Sequence, residues 1–373
     1  MLKKLFLDYG YTEDEYEKIR DYHTLKNYTD KALGRKFVVI KDFLLQFGFK
    51  DNQIKTMILN YPPVLSHKKK TMKKKIEGLI KIGYSKDEAI ELVTKSPQII
   101  CQNTKTVKRK FKKIKDEGYT KEETIKITKV RYPLLNLNEN FTDDKISEIE
   151  KLGYTKEDVR KMLVKCPSLI TLSVENIKNM LKTFTNLGYT KRQAINMTKS
   201  VPHVLSFSAE TIIFKMYKMI MLGYTKAEVR KMTKSSPVMY TYDVDNMAKK
   251  IDDIVSLGYA RKQVLSMMYE LPSLFGSSVE NNTKPKLEFF DSIGLRDIPI
   301  KHPSSMIQSI ALTYARYMYY KEIGYEINAD NYTALSVGEK TFKNRYGVSK
   351  EELLERYDYS EYIEKKKVNK KEM

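Results

Sequence analysis

A 35-residue repeat constrains the fold of this chain more than any other feature. Seven glycine–aromatic pairs follow one another at steps of 35 residues, and a proline stands fourteen residues after six of the glycines and fifteen after the other. The glycines are Gly48, Gly83, Gly118, Gly153, Gly188, Gly223 and Gly258. The prolines are Pro62, Pro97, Pro133, Pro167, Pro202, Pro237 and Pro272. Because a unit this short cannot bury an apolar face alone, seven units in register predict a stacked array.

Each unit has the sequence signals of two helices joined by a proline turn. Glycine after an apolar, periodic run is typical of a helix C-terminus, and Ser85 with Glu88 has the spacing of a capping box that starts the next helix. That helix runs for about ten residues to the proline, which cannot continue it. A longer amphipathic helix follows, as over residues 174–187. The predicted fold is all-α, a superhelical α-solenoid of about 35-residue helical repeats.

The two ends of the chain depart from the repeat. Gly10 begins a degenerate unit with a capping box but no proline, and the helix signals that follow Gly294 lose the period. We therefore predict three segments. Residues 1–40 form a degenerate N-terminal capping repeat, residues 41–300 form the helical repeats, and residues 301–373 form a helical C-terminal cap with a basic tail.

The repeat resembles that of a known family. One unit, clearest over residues 153–187, has the form Leu-Gly-Tyr-Thr-Lys-Glu, helix, Cys-Pro-Ser-Leu, Ser-Val-Glu-Asn, helix. Such units look like the repeats of the mitochondrial transcription termination factors (mTERF). The resemblance covers roughly residues 40–300. It implies a curved, left-handed solenoid that binds double-stranded DNA or structured RNA in a basic groove and acts on transcription or ribosome assembly. It assigns no base-reading residue, because the family's base contacts lie outside the repeat motif.

The charge balance points to a polyanionic partner. Lys and Arg number 68 against 47 Asp and Glu, a net charge of +21, and residues 68–115 alone hold sixteen basic and four acidic side chains. A solvated face usually mixes signs, so this run favours phosphate contact. No stretch approaches the roughly 18 uncharged residues of a membrane-spanning helix. We predict nucleic acid as the partner and no membrane.

The repeat register sorts the cations into two lines of predicted nucleic-acid-binding residues. The first line stands three residues after six of the seven glycines, where the dipole of the helix that it starts disfavours a cation. The recurrence of a cation there makes a binding role as plausible as a solvated face. The members of the first line are Lys86, Lys121, Lys156, Lys191, Lys226 and Arg261. The second line lies on the longer helices. Its members are Lys73, Lys74, Lys75, Lys108, Arg109, Lys110, Lys112, Lys113, Lys178, Lys182, Lys215, Lys218, Lys249, Lys250, Lys284 and Lys286.

The choice of basic residue predicts backbone contact rather than base reading. Lys outnumbers Arg by 56 to 12, and Lys meets phosphate as a point charge, whereas Arg makes most bidentate contacts to guanine. The scarce candidates for base reading are Arg109, Arg131, Arg160, Arg192, Arg230 and Arg261. The tyrosine after each repeat glycine has the position of a hydrophobic staple before a cap, which we favour over stacking on bases.

Signals of bond-breaking chemistry are missing from the sequence. The four histidines are scattered without metal-ligand spacing, and no phosphate loop, nucleophile elbow or kinase signature is present. We predict a non-enzymatic protein without metal or cofactor, although two acids from different repeats could meet in space and form a nuclease site. Cys101 and Cys166 are too few for a disulfide framework and indicate reduced thiols.

Two functions follow from these patterns. The first is a nucleic-acid-binding protein that regulates transcription or its termination. The alternative is a helical-repeat scaffold that binds a protein partner or a ribosome or RNA-processing factor, which predicts apolar residues at exposed repeat positions. In either case we expect a monomer. The sequence does not show which of the two basic lines faces the groove.

The N-terminal residues carry the only compartment signal. The segment from Met1 to Leu7 meets acidic residues at once, so it lacks the features of a signal or transit peptide. We expect the cytoplasm of a bacterial-type cell, and a bacterial or mobile-element member of the family. Because the family is chiefly organellar, the resemblance implies the matrix of a mitochondrion or plastid as the alternative.

Overall fold

The computed structural model describes residues 2–130 and 141–360, without the side chains of residues 130 and 141–143. Within these ranges the chain forms helices and turns and no strand, which confirms the predicted all-α class. The chain divides into two compact units, Met1–Lys178 and Asn179–Met373. The division falls inside one long helix, Val174–Asn186.

In the N-terminal unit, short helices that follow a repeat glycine alternate with long helices. The helices are α1 (Leu2–Asp8), α2 (Glu13–Arg20), α3 (Asp30–Phe47), α4 (Asp51–Asn60), α5 (Lys69–Ile82), α6 (Lys86–Lys95), α7 (Thr104–Asp116), α8 (Lys121–Val130), α9 (Phe141–Lys151) and α10 (Lys156–Lys165). The prolines begin 3₁₀ turns at Pro62–Ser66, Pro97–Cys101 and Pro167–Thr171. Pro133 lies outside the described residues.

The C-terminal unit continues the alternation from the long helix that crosses the division, α11 (Val174–Asn186). Its further helices are α12 (Lys191–Ser200), α13 (Ala209–Met221), α14 (Lys226–Ser235), α15 (Val244–Val255), α16 (Arg261–Glu270), α17 (Lys284–Ser292), α18 (Ile298–Lys301), α19 (Ile310–Glu322), α20 (Glu339–Tyr346) and α21 (Lys350–Arg356). The 3₁₀ turns are Pro202–Ser206, Pro237–Thr241, Pro272–Gly276, Pro303–Met306 and Tyr332–Ser336, and a π-helical turn covers Val279–Thr283.

The helix ends and helix caps predicted from the sequence are present in the structure. The seven repeat glycines have φ between 89° and 133°, a conformation in which a side chain is strained, and this explains why glycine ends each long helix. Capping boxes open the short helices: Ser85 Oγ accepts from the Glu88 amide at 3.1 Å, and the Ser85 amide donates to the Glu88 carboxylate at 2.8 Å. Thr155 and Asp158 form a further box of the same kind.

Neighbouring repeats stack on one another within each unit. In the N-terminal unit the short helices α4, α6, α8 and α10 pack in sequence, and the long helices α3, α5 and α7 do the same. In the C-terminal unit α14 packs on α16, and α13 packs on α15. Within each unit this is the repeat stacking of an α-solenoid, as predicted.

The repeat tyrosines belong to the core. Tyr84, Tyr119, Tyr154, Tyr189, Tyr224 and Tyr259 are all buried. Tyr189 shows how they tie repeats together, because its hydroxyl lies 2.6 Å from Thr233 Oγ1 and 2.9 Å from the hydroxyl of Tyr240. Buried rings cannot stack on bases, in agreement with the predicted core role.

One further unit with a shortened first helix follows the periodic repeats. Helix α18, the turn Pro303–Met306 and helix α19 repeat the order of short helix, 3₁₀ turn and long helix, across the predicted boundary at residue 300 between the repeats and the C-terminal cap. The buried Arg316 in α19 donates to Leu335 O at 3.0 Å and to Gln308 Oε1 at 2.9 Å, which ties the last turn to this unit.

Candidate nucleic-acid interface

The second line of cations is most concentrated on α5 and α7. Helix α7 buries Val107, Phe111 and Ile114 and turns its lysine-rich side to solvent, and α5 does the same around Met72 and Ile76. The exposed cations of the two helices are Lys69, Lys70, Lys73, Lys74, Lys81, Lys105, Lys108, Arg109, Lys112 and Lys115, which we call the basic face. Glu77 and Asp116 are the acids of these helices, and neither interrupts the run from Lys105 to Lys115.

A glycine brings these two helices close together. Gly78 is buried within α5, and a Cβ atom at this position would lie 2.6 Å from Thr104 Cγ2 at the start of α7. Only a residue without a side chain allows this approach. The cations of α5 and α7 therefore lie on adjacent, closely packed helices.

Ion pairs distinguish the cations of the second line. Lys218 is held 2.7 Å from Asp245, so its charge is neutralised, whereas the contacts of Lys73 with Glu77 at 3.8 Å and of Lys178 with Glu175 at 3.5 Å are long and exposed. Within residues 2–130 and 141–360, five exposed cations of this line have no acidic partner. They are Lys74, Lys108, Lys112, Lys182 and Lys249.

Three lysines predicted to contact phosphate bind the protein's own backbone instead. Lys75 Nζ donates to Gln102 O, and Lys215 Nζ donates to Tyr242 O. Lys250 Nζ donates to Phe275 O at 2.6 Å and to Ser277 O at 2.7 Å. In each case the acceptor closes the 3₁₀ turn of the following repeat, where carbonyl groups lack partners. We therefore remove Lys75, Lys215 and Lys250 from the predicted interface.

The same contact removes a fourth lysine of the second line, because the buried Lys286 donates from Nζ to Met306 O at 2.6 Å. Outside that line, Lys36 Nζ donates to Ser66 O at 3.3 Å. Burial lowers the pKa of Lys215, Lys250 and Lys286, as expected for ammonium groups drawn out of water. Lys110 stands at the register of Lys75, but the residue that matches its acceptor lies outside the described residues.

The first line of cations lies beside the preceding repeat. A Cβ at Gly48 would lie 3.2 Å from Lys86 Nζ, and a Cβ at Gly83 would lie 2.5 Å from Lys121 Cε. Arg261 Nη2 donates to Leu222 O at 3.4 Å. Each of these cations starts its own short helix. It also covers the C-terminus of the long helix that Gly48, Gly83 or Gly223 ends in the preceding repeat, where the helix dipole favours positive charge. Lys86, Lys121 and Arg261 therefore have a structural reason for their position, and the helix dipole no longer favours a binding role for them.

Arginines from the middle of the short helices make this contact in other repeats. Arg160 Nη1 donates to Gly118 O at 3.3 Å and to Glu123 at 3.0 Å, and Arg230 Nη1 donates to Gly188 O at 3.2 Å. Arg296, which the sequence reasoning missed, donates to Gly258 O at 3.1 Å. These contacts give Arg160, Arg230 and Arg261 structural roles.

The other base-reading candidates are Arg109, Arg131 and Arg192. Arg109 and Arg192 are exposed, and Arg131 lies outside the described residues. The first-line residues Lys156, Lys191 and Lys226 are also exposed, with no acidic partner in the part of the chain that the structure describes. Arg160 and Arg230 stand in the same short helices as Lys156 and Lys226 and cover the glycine of the preceding repeat, which leaves Lys156 and Lys226 available for other contacts. Lys113 on α7 is half-buried.

The described ranges contain neither a metal cluster nor a membrane span. No group of three His, Cys, Asp or Glu side chains in the described ranges is placed to hold a metal ion. No helix within those ranges is both long and apolar enough to cross a bilayer.

Comparison with known proteins gives one family. The model of the mTERF family matches residues 15–141 and 127–318, which together cover most of the chain and all of the glycine-marked repeats. None of the curated proteins compared with the chain matches it.

Proposed function

Because the chain belongs to the mTERF family, we propose that it binds nucleic acid, double-stranded DNA or structured RNA, through the basic face of α5 and α7. The observation that carries this proposal is the run of exposed cations on two closely packed helices, broken by few acids. Lysines placed along helices can follow a phosphate backbone without reading bases.

Occupancy of a duplex is the mode of action that we propose. A protein that holds the backbone can stop or redirect a polymerase without breaking a bond, so regulation of transcription or its termination needs no catalytic group. We propose that the chain acts as a monomer, in the cytoplasm of a bacterial-type cell or, if it is organellar, in the matrix.

The test is equilibrium binding across a salt series. Fluorescence polarisation with a 30-bp duplex DNA, a hairpin RNA and single strands of the same sequence measures affinity and its dependence on salt. Contacts to 6–10 phosphates lower affinity by roughly 10³ to 10⁵ between about 50 and 200 mM salt. Tight binding to one class with such a slope supports the proposal, whereas no binding at the lowest salt overturns it.

A second function rests on a different helix. Helix α13 exposes Ile213, Phe214, Tyr217 and Met221, with exposed fractions of 49, 57, 61 and 70%. Spacings of three and four residues place them on one stripe. The residues 35 positions earlier are Lys178, Asn179, Lys182 and Asn186. A stripe that replaces lysine by apolar side chains suits a protein rather than a phosphate backbone.

We propose that this stripe binds the apolar face of a helix from a partner protein. The spacing of its residues matches that of the apolar anchors in helix-in-groove recognition. The nearest cation, Lys218, is paired with Asp245, which neutralises its charge. The test exchanges the four apolar residues for those of α11. The proposal is supported if the wild-type chain retains a partner protein that the exchanged variant loses, and if that partner, once purified, binds the wild-type chain again. Unchanged retention of that partner overturns it, and so does a loss of duplex affinity.

A further inference from the structure

Three reactive side chains meet where the first two proline turns pack together. Tyr61 and His67 flank the turn Pro62–Ser66, and Cys101 ends the turn Pro97–Cys101. Cys101 Sγ lies 3.3 Å from the Tyr61 hydroxyl and 3.4 Å from His67 Nε2. Cys101 is exposed to solvent, so its sulfur is accessible to small molecules.

The repeat register shows that this cluster is special to one junction. The corresponding last residues of the other described proline turns in the periodic array are Ser66, Thr171, Ser206, Thr241 and Gly276. None of these is a thiol. The residue that follows each of those turns is a histidine only at His67. A repeated scaffold therefore places a Cys, a His and a Tyr together once among the described turns.

The surroundings keep the imidazole of His67 unprotonated. Burial, and then the positive charges of Lys36 and Lys75, lower the pKa of His67 below its usual 6.5, so its imidazole is neutral at pH 7. A neutral Nε2 can accept the thiol hydrogen, while the Tyr61 hydroxyl can donate to sulfur. This is the arrangement of a nucleophile beside a base, with a third group that orients the nucleophile.

We propose that Cys101 is a reactive thiol that hydroperoxides oxidise to sulfenic acid, with His67 as the proton acceptor and Tyr61 as a hydrogen-bond donor to sulfur. The sulfur attacks one peroxide oxygen, an S–O bond forms and the O–O bond breaks. His67 takes the thiol proton and passes it to the leaving oxygen, which departs as water or alcohol. Sulfur loses two electrons and the peroxide gains them. A dithiol then reduces the sulfenic acid back to the thiol, with release of water, and is itself oxidised to a disulfide.

The second cysteine is an internal control. Cys166 is buried, and its sulfur lies 3.1 Å from Ser168 Oγ. A sharper control for exposure is Ser206→Cys in a chain that also carries Cys101→Ser and Cys166→Ser, because Cys166 stands at the register of Tyr61. It places an exposed thiol at the same point of another proline turn, where Leu172 stands at the register of His67.

The experiment is peroxide oxidation of the full-length chain, with dimedone capture of sulfenic acid and mass spectrometry of both cysteine peptides. We expect Cys101 to be captured about tenfold faster than the thiol of the Ser206→Cys control, and His67→Gln to remove most of that difference. Tyr61→Phe reports the contribution of the hydroxyl, and far-UV circular dichroism checks that each variant is folded. Equal rates for the wild type and His67→Gln, or an equally fast Ser206→Cys control, would overturn the proposal.

Discussion

Lys250 donates from Nζ to the carbonyl oxygen of Ser277 at 2.7 Å, and this bond joins a long helix to the turn of the following repeat. The same ammonium group also binds Phe275 O, so a single lysine satisfies two carbonyl groups. A surface position read from the sequence as a phosphate contact is thus part of the link between repeats.

The first prediction concerns this link. Lys250→Met leaves two half-buried carbonyl groups without their donor, so we expect the free energy of unfolding to fall by about 1–3 kcal/mol. Urea denaturation measures it. Lys249→Met, at the exposed neighbouring residue, is the control and should leave stability nearly unchanged. Equal losses for the two variants would mean that the carbonyl contacts contribute little.

The second prediction compares two buried tyrosines of the same register. Tyr189 bonds through its hydroxyl to Thr233 and Tyr240, whereas the buried hydroxyl of Tyr259 has no hydrogen-bond partner in the described part of the chain. We expect Tyr189→Phe to cost about 1–2 kcal/mol and Tyr259→Phe to be neutral or stabilising, because removing an unsatisfied buried hydroxyl is favourable. Thermal and urea unfolding of both variants decide. The idea fails if Tyr259→Phe is the more damaging change.

The sequence predicts the local structure well because the signals for it are local. A glycine with positive φ, a capping box and a proline each act within a few residues, so helix ends and turns could be predicted from Gly83, Ser85 and Pro97 alone. The direction of a side chain at the edge of a buried stripe depends on the next repeat, which is 35 residues away, and charge alone does not reveal it.

A signal for these inter-repeat contacts was nevertheless present in the register. Met180 occupies the position of Lys75 and Lys215, and Leu265 occupies the position of Arg160 and Arg230. Neither Met180 nor Leu265 is exposed, so at these two positions an apolar residue in place of the cation fits a half-buried site. Lys74, Lys108 and Lys112 are exposed and have no acidic partner among the described residues, so they stay predicted phosphate contacts.

The third prediction tests the close approach of α5 and α7. Gly78→Ala gains helix propensity of about 1 kcal/mol but pushes a methyl group against Thr104, and overpacking costs about 1–3 kcal/mol. We expect a net loss of stability for Gly78→Ala. Thr104→Ser removes the obstructing Cγ2, so the double variant should regain stability relative to Thr104→Ser alone. A double-mutant cycle by urea denaturation measures the coupling, and additive effects would show that the helices are not in contact here.

The fourth prediction tests the basic face directly. Lys74, Lys108 and Lys112 are exposed and unpaired within the described ranges, so changing all three to Ala removes charge without breaking an internal contact. Each lost phosphate contact to B-DNA flattens the log–log salt slope by about 0.9, so we expect the slope to fall by about 2–3 and affinity by about a hundredfold near 0.1 M salt. Fluorescence polarisation with the duplex measures both quantities.

The matched control removes the same charge elsewhere. Lys234, Lys262 and Lys321 are exposed lysines of the C-terminal unit, and changing them to Ala lowers the net charge by the same amount. If the basic face binds the duplex, this control loses only the weak, long-range part of the attraction and keeps its slope. If both triple variants lose affinity equally while remaining folded, the attraction comes from net charge alone, and the interface does not lie on α5 and α7.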